Sequence, residues 1–216
     1  MIICNKTEIL NDIPGVSIPQ KTVMRRIGYP GNIKKPGKQI ENIFNELIKE
    51  SSYLINPAGS YIILKIKKHN ENITIFDNSD FVIESPKVSK LLNDSVYAVV
   101  FIVTIGIGIE TKVNDLSIDN QLTKAFILDA IGSETADAVA DEIHYNLIKP
   151  MAETEGYTVT PRFSPGYGDW DIKVQSKIVD ICKGTSLGIK VNKYSMMIPQ
   201  KSISAVFGLK KIILKQ

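Results

Sequence analysis

Val96-Tyr97-Ala98-Val99-Val100-Phe101-Ile102-Val103-Thr104-Ile105-Gly106-Ile107-Gly108-Ile109 is the most apolar stretch of the chain, and its reading decides the fold. It is shorter than the roughly 20 residues a membrane-spanning helix needs. It is rich in β-branched side chains, which suit a pleated surface, and it ends at Glu110. A strand that is apolar on both faces must be covered on both sides. Residues 96–109 are therefore expected to form the long central strand of a sheet. No secretory signal is expected either, because Ile2-Ile3 run straight into polar Asn5-Lys6-Thr7-Glu8.

Upstream, short strands are expected at 61–67, 73–76 and 81–83, with a turn at 70–72 and a short helix at 86–92. Ile40, Ile43, Phe44, Leu47 and Ile48 recur at helical spacing, which predicts a helix over 38–50. Residues 1–36 are rich in Pro and Gly turns and read as an arm packed on a single domain, 37–216. Downstream, the longest helical signal runs over 119–148. Leu122, Ala125, Phe126, Ala136, Val139, Ala140, Ile143 and Leu147 make its apolar face. Gly132 marks a bend or a close approach, and Pro150 is expected to stop the helix. An extended piece at 157–161, a helix at 174–182 beginning near Asp171, and a strand at 202–209 complete the chain. Regular βαβ alternation is missing, so the fold class is α+β.

The composition narrows the chemistry. Among 216 residues, 44% are hydrophobic and 23% charged, the balance of an ordinary globular chain. Two cysteines and two histidines exclude a disulfide framework and a Cys/His zinc site, and they fit a reducing cytoplasm. A net charge of +3 is too small to argue for nucleic acid. Of the 26 basic residues, only Arg25, Arg26 and Arg162 are arginines. Arg25 and Arg26 read as chance within a lysine-biased chain.

Several stretches invite chemistry. The glycines of Thr104-Ile105-Gly106-Ile107-Gly108-Ile109-Glu110 suggest a nucleotide turn, but no third glycine opens a helix. They read better as a bare strip on a strand. Asn32-Ile33-Lys34-Lys35-Pro36-Gly37-Lys38-Gln39 lacks a phosphate-loop ending and reads as a solvated basic turn. His144 has no neighbouring ligands for a metal and reads as a surface or satisfied histidine. Pro161-Arg162-Phe163-Ser164-Pro165-Gly166-Tyr167-Gly168-Asp169-Trp170 is more informative. Its prolines and glycines constrain a loop that holds an arginine and a tyrosine. A ligand-gripping loop and a structural turn with its aromatics in the core are equally consistent with it.

That loop resembles the Arg-x-x-Pro-Gly-Tyr loop of the activation (reactivation) domain of cobalamin-dependent methionine synthase. Tyr194-Ser195-Met196-Met197-Ile198-Pro199-Gln200-Lys201-Ser202-Ile203-Ser204-Ala205 is similar to the family's Ser-x-x-Met-x-Pro-x-x-Ser-Val-Ser segment, and residues 128–141 resemble its long helix. The resemblance implies a twisted, mainly antiparallel sheet with packed helices, here on a separate chain. It implies binding of S-adenosylmethionine and support for reductive methylation of cob(II)alamin, a step that serves methionine biosynthesis. Cobalamin would come from the partner, a methionine synthase or another corrinoid methyltransferase protein, and the electron from a flavodoxin-like donor. The chain would be a component of methyltransferase activity, with no catalytic residue of its own and no metal site. By position, Arg162 is expected to meet the ligand's carboxylate and the Phe163 main chain its adenine or amino-acid part. Ser164 and Gly166 belong to the same cofactor-binding loop. Tyr167 would face the corrin, and Asp137 the ligand's positive charge. A tyrosine-bearing segment near that domain's C-terminus has no counterpart here, which motivates a second reading as a non-catalytic docking or escort module. The 104–110 glycines motivate a third, a small-molecule methyltransferase, which demands a parallel sheet.

Overall fold

A computed structural model describes residues 2–30 and 35–212. The elements run β1 (Thr7–Leu10), α1 (Gln20–Arg26), α2 (Lys38–Leu54), β2 (Ala58–His69), β3 (Ile73–Phe76), β4 (Val82–Glu84), α3 (Pro86–Leu92), β5 (Ser95–Thr104), α4 (Gly108–Ile118) and α5 (Leu122–Asp141). A π-helical stretch, Glu142–Ile148, leads into α6 (Lys149–Thr154). Then come β6 (Tyr157–Val159), α7 (Gln175–Ile181), β7 (Lys190–Val191), β8 (Met197–Ile198) and β9 (Ser202–Lys211). The basic turn expected at 32–39 lies partly outside the described residues.

The main sheet has the order β4-β3-β2-β5-β9-β6, with β1 alongside β2. Every pairing in it is antiparallel. This overturns the small-molecule methyltransferase reading, which needed parallel strands. β5 lies in the middle and is covered on both faces. Val99, Phe101 and Val103 pack into one core layer, with residues of α1, α2, α4 and α5. Ala98, Val100 and Ile102 pack into the other, with Val88, Trp170, Ile178 and Cys182. Alternate side chains point to opposite faces of a strand, so two separate cores follow from one apolar run.

Three details differ from the sequence expectation. The central strand stops at Thr104, because Gly106 takes a left-handed φ of +79° and Gly108 opens α4. A side chain at Gly108 would collide with the Leu54 carbonyl, so this glycine serves a close helix approach rather than a bare strand face. Pro150 does not stop the helix; it sits in the first turn of α6, directly after the π-helical stretch. Leu122 and Phe126, expected in the apolar face, are 64% and 59% exposed, while Ala125, Leu128 and Ile131 face the core. Before α2 the chain contributes β1 and α1, with Ile13 and Val23 buried in the first core layer.

Among the described residues, no helix is long and apolar enough to cross a membrane. No cluster of three potential metal ligands occurs among them either.

Candidate functional site

The constrained loop at 161–170 hangs on β9. Phe163 and Val206 exchange both main-chain hydrogen bonds, each at 2.9 Å. Trp170 is only 3% exposed and packs its indole beside the Phe163 ring. Between them the chain turns tightly. The Gly166 N–H donates to the Trp170 carbonyl at 2.8 Å, and the Trp170 N–H donates back to the Tyr167 carbonyl at 3.1 Å. Gly166 and Gly168 both take positive φ, +86° and +60°, which a side chain would oppose. The Asp169 carboxylate accepts from the Ser85 hydroxyl and from the Lys87 N–H at 3.3 Å. Ser85 also caps α3, accepting from the Val88 N–H at 3.1 Å. The loop is thus fixed at a strand, in the core and at a helix end. Its crest carries Tyr167, 70% exposed.

A row of ion pairs along α5 faces this loop. Asp129, Ser133, Asp137 and Asp141 recur every fourth residue and share one helix face. The Lys201 ammonium lies 2.6 Å from Asp129 and 2.9 Å from the Ser133 hydroxyl. The Arg162 guanidinium bonds Asp141 through one Nη and reaches Asp137 at 3.2 Å through the other. Arg26, from the end of α1, reaches Glu134 at 2.9 Å. Exposed pairs of this kind add little stability; their effect is to fix where each cation stands.

The third wall comes from β9 and α7. Gln175 is buried, and its side-chain oxygen accepts from the Ser204 hydroxyl at 2.6 Å, which leaves the amide nitrogen to offer. The Ser202 hydroxyl donates to the Pro199 carbonyl at 2.7 Å, after a cis Ile198–Pro199 bond. The Gln200 N–H donates to Glu110 at 2.8 Å. Together these walls enclose a cleft of about 400 Å³, within the usual range for small-molecule sites.

Below the loop lies His144. It is fully buried, and its Nε2–H donates to the Thr160 carbonyl at 2.9 Å. Its Nδ1 has no hydrogen-bond partner. Burial pushes the imidazole below its ordinary pKa, and the Arg162 charge acts in the same direction. The residue is neither at the surface nor fully satisfied, contrary to the expectation for it.

Arg162, Ser164, Tyr167 and Asp137 all line the cleft. Phe163 and Gly166 support it from behind: their main-chain N–H groups are already used by Val206 and Trp170. Arg162 and Asp137, expected to serve opposite charges of a ligand, pair with each other. Sequence reasoning set Arg26 aside and did not single out Gln175 or Lys201, yet all three line the cleft. For Lys201 the signal was its place beside the Met-x-Pro segment. For Arg26 it was the scarcity of arginine, since two of the three end at one cleft.

A family model described as the activation domain of vitamin B12 dependent methionine synthase matches residues 56–211. The chain belongs to this activation-domain family. The fold agrees: the chain is similar to a crystal structure of the MetH reactivation domain bound to AdoHcy, with a TM-score of 0.68 at 12% identity. That likeness covers 98% of this chain and 80% of the other. No curated protein matches the chain. Within this activation domain, the family match takes in α5, the 161–170 loop and the Met-x-Pro segment, whereas Arg26 stands outside it.

Proposed function

We propose that this activation domain binds S-adenosylmethionine in the α5–β9 cleft and supports reductive methylation of cob(II)alamin on a methionine synthase or related corrinoid protein. The observation that carries the reading is the meeting of the family's loop, with Arg162 and Tyr167, and the acidic stripe of α5 across one cleft of ligand size. Donor chemistry fits the ligand. Its carboxylate needs a guanidinium, its ammonium and sulfonium need carboxylates, and its adenine edge needs amide and hydroxyl groups. Arg162, Asp137, and Gln175 with Ser204 line the cleft to supply these in turn. When bound, S-adenosylmethionine supplies a methyl group already activated by its sulfonium. The chain's own task is then to bind and orient, and no general base is required of it. Tyr167, exposed at the rim, is the side chain placed to meet the corrin of a docked partner. The electron would come from a flavodoxin-like protein, and the setting would be the cytoplasm.

The second reading, a non-catalytic docking module, draws on one observation. Both Nη atoms of Arg162 are already engaged by α5 carboxylates. Titration calorimetry with S-adenosylmethionine separates the two readings. Saturable binding that Arg162→Ala weakens is expected. No heat up to millimolar ligand, with or without a cobalamin-loaded partner, would sink the first reading and leave the docking role.

A further inference from the structure

We propose that Arg26, donated by α1, is a second guanidinium for the carboxylate pole of the cleft's ligand. The cleft would thereby select adenosyl amino acids over adenosyl compounds that lack the amino-acid portion. The inference rests on the reading of the cleft given above and deepens it.

Three observations lead there. Arg26 lines the same cleft as Arg162, although it lies outside the region that carries the family likeness. Its place is fixed: Val23, one turn earlier in α1, is fully buried, and Arg26 itself is tethered to Glu134. Glu134 and Asp137 are three residues apart on α5, so they are neighbours on the helix surface, with Cβ atoms about 5–6 Å apart. The two guanidinium groups are therefore held by one stretch of α5, and both line the one cleft.

Their commitments differ. A guanidinium has five N–H donors. Arg162 uses two of its five, one from each Nη, on Asp141 and Asp137. Arg26 spends Nη1 on one oxygen of Glu134, and its side chain is about half exposed. Arg26 thus keeps more donors for a ligand than Arg162 does, on a more exposed side chain. A carboxylate accepts up to four hydrogen bonds and suits two forks set at one pole. Binding need not break the contact to the mostly covered Glu134, because the other N–H donors of Arg26 are uncommitted among the described residues. Lys201 is a poorer candidate, since Asp129 and Ser133 already hold its ammonium and it is mostly covered.

The test uses the full chain and three probes by titration calorimetry: S-adenosylmethionine, S-adenosylhomocysteine and 5′-methylthioadenosine. The last keeps the adenosine and sulfur but has no carboxylate. Arg26→Gln is expected to weaken the first two by about ten- to a hundredfold, the worth of a charge-assisted hydrogen bond. It should leave the third within about twofold. Arg26→Lys should recover part of the loss, because the charge returns without the fork. Glu134→Gln, which frees Arg26 without altering it, should not weaken the first two. Circular dichroism and thermal unfolding of each variant establish that it is folded. If the wild-type chain binds none of the probes, the reading of the cleft itself is wrong. If it binds them and Arg26→Gln changes nothing, or weakens all three equally, the role of Arg26 is overturned while the cleft stands.

Discussion

His144 shows how much a single side chain can depend on tertiary context. It stacks against Tyr145 and Phe207, with centroids 4.1 and 4.2 Å away, and offers Nδ1 to nothing. Periodicity put Ile143 and Leu147 on the inner face of one continuous α-helix. The π-helical stretch widens the turn there, so that residues five apart share a face. Ile143, His144 and Ile148 turn inward, and Leu147 is left 40% exposed. No rule of spacing announces such a wide turn. The folded state holds the imidazole neutral by burial, whereas the unfolded chain takes up a proton near the ordinary value of 6.5. Below that value the unfolded state binds more protons, so stability is lost as pH falls towards the depressed native value. The melting temperature should therefore drop as pH falls through 6.5. His144→Phe, which keeps the ring stack and cannot ionise, should flatten that drop. An equal slope in both proteins would refute the assignment.

At the scale of elements, α5 combines two jobs on different faces. One face is core, through Leu128, Ile131, Ala136 and Val139, and the other carries the acid stripe that holds Lys201 and Arg162. The apolar half was legible from helical spacing. The stripe was not, because Asp and Ser on a helix surface ordinarily just face water. Gly132 lies where the two jobs meet. A Cβ there would come within 2.7 Å of an Ile109 methyl and 3.2 Å of the Lys201 stem. Of the two expectations for this glycine, close packing is the one the structure realises. In isolation Gly→Ala favours a helix by about 1 kcal/mol. Here the buried Ile109 cannot retreat, and overpacking costs about 1–3 kcal/mol. Gly132→Ala is expected to lower stability in urea unfolding and to weaken S-adenosylmethionine binding by shifting Lys201. A more stable variant with unchanged affinity would show that the contact is soft.

Over the whole molecule, the chain before α2 is tied into the fold at several points. β1 pairs with Gly59–Ile62 of β2, Val23 sits in the first core layer, and Arg26 reaches α5. Deleting residues 1–36 should expose the edge of β2 and the apolar groups beneath α1. The expected outcome is a large fall in melting temperature and self-association by light scattering. A truncated chain that remains monomeric and equally stable would show the segment to be dispensable. The sequence by itself determined the α+β class, the doubly covered central strand and the loop that places the chain in its family. These depend on local patterns: apolar period, β-branching, and prolines and glycines at fixed spacing. The tertiary structure alone decided that Arg162 and Asp137 meet each other, that Phe163 supports the loop rather than facing the cleft, and that Arg26 lines the same cleft as Arg162. Those contacts join residues far apart in the chain, and no local pattern encodes which distant charges a fold will bring together.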